Sequence, residues 1–266
     1  MPLPSSQRII TLLTDFGTRD AFVGIMKGVI LGIAPTACIV DLSHEIPPQD
    51  ILTGALVLRS AAPFFPPRTI HVAVVDPGVG SQRRAIVIET QDAFFVGPDN
   101  GLLSLAAPPE SNVQVVHLTN TQYFLPHLSH TFHGRDVFAP VAAHLSCGVS
   151  PKVLGPTIPT IEQLSLPVVA RTESQLTGSV IAVDRFGNLM TNITEADLLP
   201  FPRGTLSVSI GSVQIQGLAS TYATVALGML VALINSWGML EIAVRNGSAA
   251  QQLRTPVGTT VCVRKV

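Results

Sequence analysis

The sequence predicts an α/β protein: a mainly parallel N-terminal sheet with helices on both faces, followed by a smaller C-terminal β-barrel domain. Through about the first 150 residues, apolar strand-like segments alternate with helical ones, which is the pattern of a parallel sheet covered on both faces. Beyond a proline-rich stretch, short strand-like segments are separated by glycine turns, which favours a small β domain or barrel.

The N-terminal elements follow in order from the apolar pattern. The β-branched residues and leucines of "RIITLLTDFG" predict a buried strand ending at Asp15, and "DAFVGIMKGVILGIAP" predicts a helix ended by Gly32 and Pro35. The alternation continues with strand "ACIVDLS", helix "DILTGALVLRSAAPFF" and strand "TIHVAVVD". Further strands are predicted in "RAIVIET", "DAFFVGP" and "VQVVHL", and a helix in "DVFAPVAAHLSCG", beginning near Asp136.

Prolines mark the boundary between the two predicted domains. Proline cannot continue a helix or a central strand, so a cluster of prolines predicts a linker. The stretch from 150 to 167 contains four of them: Pro151, Pro156, Pro159 and Pro167. We therefore expect three segments: an α/β domain at 1–150, a linker at 151–174 and a β-barrel domain at 175–266.

Composition limits the possible partners. The 16 basic and 17 acidic residues give a net charge of −1 without any basic stretch, so nucleic acid is not expected as a partner. Charged residues make up only 12% of the chain, against about 25% in an average soluble protein. This low value predicts that part of the surface is covered by self-association.

Neither a membrane span nor export is expected. The apolar run Ala223–Ile234 is short of the roughly 20 residues that cross a bilayer, so we predict a buried element there. No apolar signal segment precedes Ile9. The three cysteines lack C-x-x-C spacing, which suits a reducing compartment. We therefore expect a cytoplasmic protein.

Two aspartates follow directly on predicted parallel strands. Asp15 ends the first strand and Asp76 ends "TIHVAVVD", so both should lie at the carboxyl edge of the sheet, where open α/β sheets place ligands. The alternative is that each carboxylate merely caps the following helix or turn. Two such turns on one edge favour a site.

The turn after Asp76 also contains Gly78, Gly80 and two arginines. Its bend can return the chain so that Arg83 faces Asp76 in a bidentate pair. A solvated arginine pair, Arg83 with Arg84, is the alternative.

Histidines spaced by three suggest a metal site in "HLSHTFHGRD". However, His127, His130 and His133 would share a face only in a helix, and Pro126 with β-branched neighbours indicates a loop or extended segment. We therefore expect no metal site, and His133 alone as a polar site residue.

The second half contains two further candidate features. The turn in "VDRFGNLMTNI" combines Asp184, Phe186 and Asn188, which suit a purine because an aromatic face can stack on its ring and an amide can bind its edge. An ordinary hairpin turn is the alternative. Glu241 is an isolated carboxylate in an apolar run, which predicts a cationic partner from the protein or a ligand.

Together these segments resemble one protein family. The motifs "LTDFGTRDAFVGIMKGVI", "HEIPPQD", "VVDPGVGSQRR", "GPDNGLLS", "TFHGRDVFAPVAAHL", "VDRFGNLMTNI" and "INSWGMLEIAVRNGSA" occur in order from about Ile9 to the C-terminus. They resemble the S-adenosyl-L-methionine (SAM) hydroxide adenosyltransferases, the adenosine-forming SAM hydrolases related to SAM-dependent fluorinases and chlorinases. The resemblance implies an α/β domain, a β-barrel, and a homotrimer with SAM between the N-terminal domain of one subunit and the C-terminal domain of the next.

The resemblance also implies roles for individual residues. An Asp–Arg–His set around the attacking water falls on Asp76, Arg83 and His133. The halogenating relatives lack this set, so its presence favours hydroxide over halide. The substrate-binding residues implied are Asp15 for the ribose; Phe186, Asn188, Tyr222 and Arg245 for adenine; and Asp184, Ser236, with Asp20 or Glu241, for the methionine part.

The predicted function is hydrolysis of SAM to adenosine and methionine without a cofactor, SAM being the substrate. Three alternatives stay open on the sequence alone: a non-catalytic adenosine or SAM sensor, a SAM-dependent halogenase, and a metal-dependent hydrolase that uses the histidines.

Overall fold

A computed structural model describes residues 8–107, 113–201 and 206–266. The residues before position 8, on which the expectation about export rests, lie outside this description. The chain divides into two compact units, Met1–Leu164 and Ser165–Val266. The first contains a sheet flanked by helices and the second an antiparallel barrel-like sheet, which confirms the predicted fold class.

Strands and helices alternate in the first unit as predicted through β3. In chain order the elements are β1 (Ile9–Thr14), α1 (Phe22–Ile33), β2 (Cys38–Ser43), α2 (Ile51–Ala61), β3 (Thr69–Val74), β4 (Ala85–Glu89), β5 (Ala93–Pro98), β6 (Gln114–His117), α3 (Ala139–Ser146) and β7 (Thr157–Ile158).

The described strands of this unit form a mixed sheet in the order β2-β1-β3-β5-β4-β6-β7. The first three pairings are parallel, and the three that involve β4, β6 and β7 are antiparallel. The parallel part is therefore smaller than "mainly parallel" implies. Residues 90–92 are too short a connection for a parallel crossover, so β4 and β5 pair as a hairpin.

The two faces of this sheet bury different helices because neighbouring strand residues point to opposite sides. Leu12 packs in the core cluster that contains Met26 of α1 and the buried side of α3. Leu13, the next residue, packs in the cluster that contains Leu58 of α2. Helices thus cover both faces, as predicted.

The second unit is built almost entirely of strands. Its elements are β8 (Ala170–Arg171), β9 (Gln175–Val183), β10 (Leu189–Thr194), α4 (Glu195–Leu198), β11 (Leu206–Ile210), β12 (Val213–Gln216), β13 (Leu230–Ile234), β14 (Met239–Val244), α5 (Ala249–Leu253) and β15 (Thr260–Lys265). The order is β12-β11-β15-β9-β10-β14-β13, all antiparallel, with β8 beside β9. The end strands β12 and β13 approach each other, so the barrel is nearly closed.

The apolar run Ala223–Ile234 is only partly the buried element that we predicted. Its last five residues form β13, but Leu227 and Met229 are 66% and 56% exposed. The reason is the left-handed Gly228 between them, which turns the chain before the strand begins.

Among the described residues, no helix is long and apolar enough to cross a membrane.

A buried histidine in β3 gives the first unit a predictable response to acid. The His71 side chain is 1% exposed, its Nδ1 lies 2.8 Å from Thr11 Oγ1, and its ring stacks on Phe95. Burial lowers the pKa of His71 from 6.5 to about 4. Between these values the unfolded chain binds a proton that the folded chain excludes, so stability decreases as the pH falls.

As the pH falls from 7 to 5, we expect protonation of this one histidine in the unfolded chain to lower the free energy of unfolding by about 2 kcal/mol. Urea unfolding at the two pH values measures the decrease. The His71→Leu variant should lose that part of the pH dependence, and an unchanged dependence in this variant would contradict the assignment.

Candidate active site

The carboxyl edge of the parallel strands brings two predicted aspartates to the same end of the sheet. Because β1 and β3 pair in parallel with Thr14 opposite Val74, Asp15 and Asp76 both emerge beyond this edge. Asp15 Oδ2 accepts a hydrogen bond from the backbone N–H of Gln49 at 2.8 Å. Asp20 lies in the exposed loop before α1.

The turn after Asp76 forms the predicted bidentate ion pair. Backbone hydrogen bonds from Val79 to Asp76 and from Ser81 to Gly78 bend the chain back. Arg83 Nε then donates to both Asp76 carboxylate oxygens at 2.9 and 3.0 Å, and Arg83 Nη2 donates to Oδ2. The two side chains are only 9% and 5% exposed.

His133 completes a cluster with this pair. Its Nδ1 lies 2.9 Å from Arg83 Nη2, and a guanidinium can only donate, so Nδ1 is the acceptor. Burial and then the charge of Arg83 lower the pKa of His133. At neutral pH the ring is therefore uncharged with its proton on Nε2. The cluster joins a carboxylate, a guanidinium and a free N–H donor.

Two features that were not predicted from the sequence support the cluster. Asn100 Nδ2 donates to the carbonyl of Val75, the residue before Asp76, at 2.9 Å. A single π-helical turn, Gly134–Phe138, begins directly after His133, and such turns are frequent at functional sites. Asp136, within this turn, is fully buried, and its side chain accepts a hydrogen bond from the backbone N–H of Ser129.

Arg84 and the other two histidines have surroundings different from those of the cluster. Arg84 is partly exposed and has partners of its own: its Nε donates to Asp99 Oδ2 at 2.7 Å, and Nη2 donates to the carbonyl of Thr160. His127 and His130 are exposed. Within the described ranges, no group of three His, Cys, Asp or Glu side chains is arranged to hold a metal ion.

A cavity of about 910 Å³ lies in the second unit. Six of the predicted substrate-binding residues line it: Asp184, Phe186, Asn188, Tyr222, Ser236 and Glu241. Its wall also contains residues that were not predicted, among them Asn235, Trp237 and Ser248. The glycine of "NSWG" signals a turn there but does not identify which neighbours face the cavity.

The "DRFGN" segment is both a turn and part of the cavity wall. Asp184 Oδ1 accepts from the backbone N–H groups of Phe186 and Asn188, and Oδ2 accepts from Asn188 Nδ2. The left-handed Gly187 lets the turn pack tightly, since a Cβ there would lie 2.0 Å from Ser248 Oγ. The hairpin-turn interpretation is thus correct for the backbone; the Asp184 and Asn188 side chains bond each other within the turn, and the Phe186 ring is exposed.

Glu241 has neutral partners within the chain, and the cationic ligand that we predicted as the other possibility stays a prediction. It is 3% exposed, and it accepts from Tyr222 Oη at 2.8 Å and from Asn235 Nδ2 at 3.2 Å. Burial raises the pKa of Glu241. Burial and the bond to Glu241 raise the pKa of Tyr222 to about 12, which keeps it a donor. Among the described lining residues there are two acids and no lysine or arginine.

Arg245 does not contribute its side chain to the cavity wall as predicted. Its Nη1 donates to the carbonyls of Val225 and Ala223, so the guanidinium is used to hold the segment that follows Tyr222. The neighbouring Val244 and Asn246 do line the cavity.

Comparison with known families identifies the chain. The profile of the SAM hydroxide adenosyltransferase N-terminal domain matches residues 10–155, and that of the C-terminal domain matches residues 178–262. The chain belongs to the SAM hydroxide adenosyltransferase family. It is therefore a member of an enzyme family, and the predicted resemblance is confirmed.

Individual relatives agree with this membership. An (R)-S-adenosyl-L-methionine hydrolase of Salinispora tropica is 39% identical over 252 residues, covering 94% of this chain and 95% of the relative. A fluorinase of Actinoplanes sp. is 27% identical, covering 97% of each chain. The crystal structure of an uncharacterized conserved protein from Thermotoga maritima superposes with a TM-score of 0.89 at 37% identity, covering 96% of this chain and all of that one.

Proposed function

We propose that this family member hydrolyses SAM to adenosine and L-methionine. The observation that carries the proposal is the Asp76–Arg83–His133 cluster, which places a hydrogen-bond acceptor and an N–H donor around one point at the carboxyl edge of the sheet. Four curated relatives that are 38–40% identical over most of the chain are named (R)-S-adenosyl-L-methionine hydrolase, which supports the same reaction.

The cavity of the second unit suits the adenosyl and sulfonium parts of this substrate. Phe186 and Tyr222 offer aromatic faces for adenine, and Asn188 offers an amide for its edge. Asp184 and Glu241, without a lysine or arginine among the described lining residues, favour a cationic ligand. We assign the methionine part to Asp184 and Ser236, with Glu241 or Asp20, and the ribose hydroxyls to Asp15.

Water attacks the ribose C5′ in line with the departing sulfur. The new C5′–O bond forms as the C5′–S bond breaks, the electron pair goes to sulfur, and the water proton leaves to solvent. Since methionine departs as a neutral thioether, the leaving group needs no general acid and no metal. Asp76 accepts a hydrogen bond from the water and aims it, while Arg83 and His133 Nε2–H stabilise the hydroxide character that develops.

We further propose that the protein is a cytoplasmic homotrimer in which each site combines residues of two copies. The division of the proposed residues between two units supports this assembly. So does Phe186, an adenine-stacking candidate that is 77% exposed in the single chain. The free cysteines suit a reducing compartment.

Product analysis tests the proposed reaction. Purified protein is incubated with resolved (R)- and (S)-SAM, with and without a chelator, and nucleosides and amino acids are separated by chromatography. We expect equal amounts of adenosine and methionine from the (R) form at a rate that the chelator does not change. Binding without products would instead identify a sensor, and activity that the chelator removes would identify a metal-dependent hydrolase.

A further inference from the structure

Two buried side chains contact each other next to Asp15: the preceding residue, Thr14, and His44. Thr14 and His44 are 0% and 6% exposed, and Thr14 Oγ1 lies 2.9 Å from His44 Nδ1. Thr14 Oγ1 also accepts from the backbone N–H of Phe16 at 3.2 Å, and the His44 carbonyl accepts from Gly17 at 2.8 Å. The two residues that follow Asp15 are therefore hydrogen-bonded to Thr14 and His44.

His44 has a charged neighbour, Asp41, on the side of the ring away from Thr14. Its Nε2 lies 3.1 Å from Asp41 Oδ1, and Lys27 Nζ donates to Asp41 Oδ2 at 2.6 Å. Burial alone would raise the pKa of Asp41, but the contacts with Lys27 and His44 outweigh it and leave this pKa below its usual value. The negative charge of Asp41 therefore lies beside the imidazole, whose buried Nε2 makes no hydrogen bond, while Nδ1 on the other side of the ring faces Thr14.

The segment that begins at His44 also reaches Asp15 from its other end. The backbone N–H of Gln49 donates to Asp15 Oδ2 at 2.8 Å, and Gln49 has a φ of 66°. A non-glycine residue in this left-handed region is uncommon and is maintained by its surroundings. Asp15 is therefore ordered before any ligand arrives: one carboxylate oxygen holds the backbone, and the other can accept from a hydroxyl.

We propose that His44, acting through Thr14, is a positioning residue that fixes Asp15 for the two adjacent hydroxyls of a ribose ring. The inference rests on the proposed function, because it takes the ribose of SAM or adenosine as the group that Asp15 binds. Prior ordering of a carboxylate reduces the entropy lost on binding, so its effect is on affinity and on selection for the diol.

Calorimetric titration with adenosine and with 2′-deoxyadenosine tests this role. The His44→Leu variant should bind adenosine about tenfold more weakly, the loss of one well-placed hydrogen bond to a charged group. Its affinity for 2′-deoxyadenosine should change much less, so the preference for the diol decreases. In the steady-state reaction the KM for SAM should rise while kcat stays close to that of the wild type.

Two further variants separate positioning from folding. His71→Leu is the matched control, because His71 is an equally buried histidine that faces a threonine of the same sheet through Nδ1, away from Asp15. It should leave the ratio of the two nucleoside affinities unchanged. His44→Asn keeps a polar group opposite Thr14 and should restore most of the ratio.

The proposal would be overturned if His44→Leu weakened the binding of adenosine and of 2′-deoxyadenosine equally. It would also be overturned if His71→Leu lowered the ratio of the two affinities as much as His44→Leu does. A readout without ligand is amide hydrogen exchange: exchange at Phe16 and Gly17 should accelerate in His44→Leu, and unchanged exchange would also overturn it. If the wild type neither binds adenosine nor cleaves SAM, the proposed function fails, while this exchange measurement still decides whether His44 orders the Asp15 loop.

Discussion

Replacing Arg83 with alanine is expected to lower kcat by roughly 100- to 1,000-fold, the usual cost of removing one preorganised donor from a developing oxyanion. Arg83 touches both other members of the cluster, so its loss frees the Asp76 carboxylate and removes the donor that fixes the tautomer of His133. Because we propose that these groups act on the attacking water, the Kd for SAM should change far less. Single-turnover rates and calorimetric binding measure the two quantities.

Two other substitutions serve as controls for the Arg83→Ala result. Arg84→Ala removes the adjacent arginine, whose partners are Asp99 and the Thr160 carbonyl, and should leave kcat essentially unchanged. Asn188→Ala should raise KM with little effect on kcat, since the adenine contact that we propose for this cavity residue is shared by substrate and transition state. If Arg83→Ala and Asn188→Ala weaken SAM binding equally, the division into catalytic and binding residues is wrong.

Gly80→Ala is expected to disrupt the cluster although position 80 has no chemical role. Gly80 has a φ of 76°, and a Cβ there would lie 2.2 Å from the carbonyl oxygen of His130. The alanine must push apart the turn that carries Arg83 and the segment that leads to His133. We expect the protein to lose about 1–3 kcal/mol of stability and most of its turnover, measured by urea unfolding and by adenosine release.

The matched control is Gly24→Ala on helix α1. A Cβ at Gly24 meets no atom within 4 Å, and the position is helical, so alanine should be neutral or stabilising by up to about 1 kcal/mol. Full activity and stability in Gly80→Ala would show that the two loops are not held together by the close backbone contact.

What the sequence could predict depended on how far apart the partners are in the chain. Asp76 and Arg83 are seven residues apart across a glycine turn, so turn geometry alone brought them together. His133 is 50 residues beyond Arg83, and only the family resemblance placed it there. The contact between Thr14 and His44 joins two strand ends, and an apolar pattern contains no information about which polar side chains meet there.

The same reasoning applies to the fold and to Glu241. Local periodicity predicted the strands and helices of the first unit, but strand direction depends on connections, and the three-residue link between β4 and β5 makes half of the sheet antiparallel. Glu241 was expected to need a cation. Within the chain its partners are Tyr222, 19 residues away, and Asn235, because neutral donors can satisfy a buried carboxylate whose pKa is raised; a cationic ligand stays a prediction.

The most direct test of the account follows the oxygen atom. SAM is turned over in ¹⁸O-labelled water with excess chloride or fluoride, and the nucleoside is examined by mass spectrometry. In the proposed site the Asp76 carboxylate would repel a halide and accept a hydrogen bond from water, so we predict ¹⁸O at the 5′ position of adenosine and no 5′-halo-5′-deoxyadenosine. A halogenated product, or adenosine without the label, would contradict hydrolysis at C5′ by the Asp76–Arg83–His133 cluster.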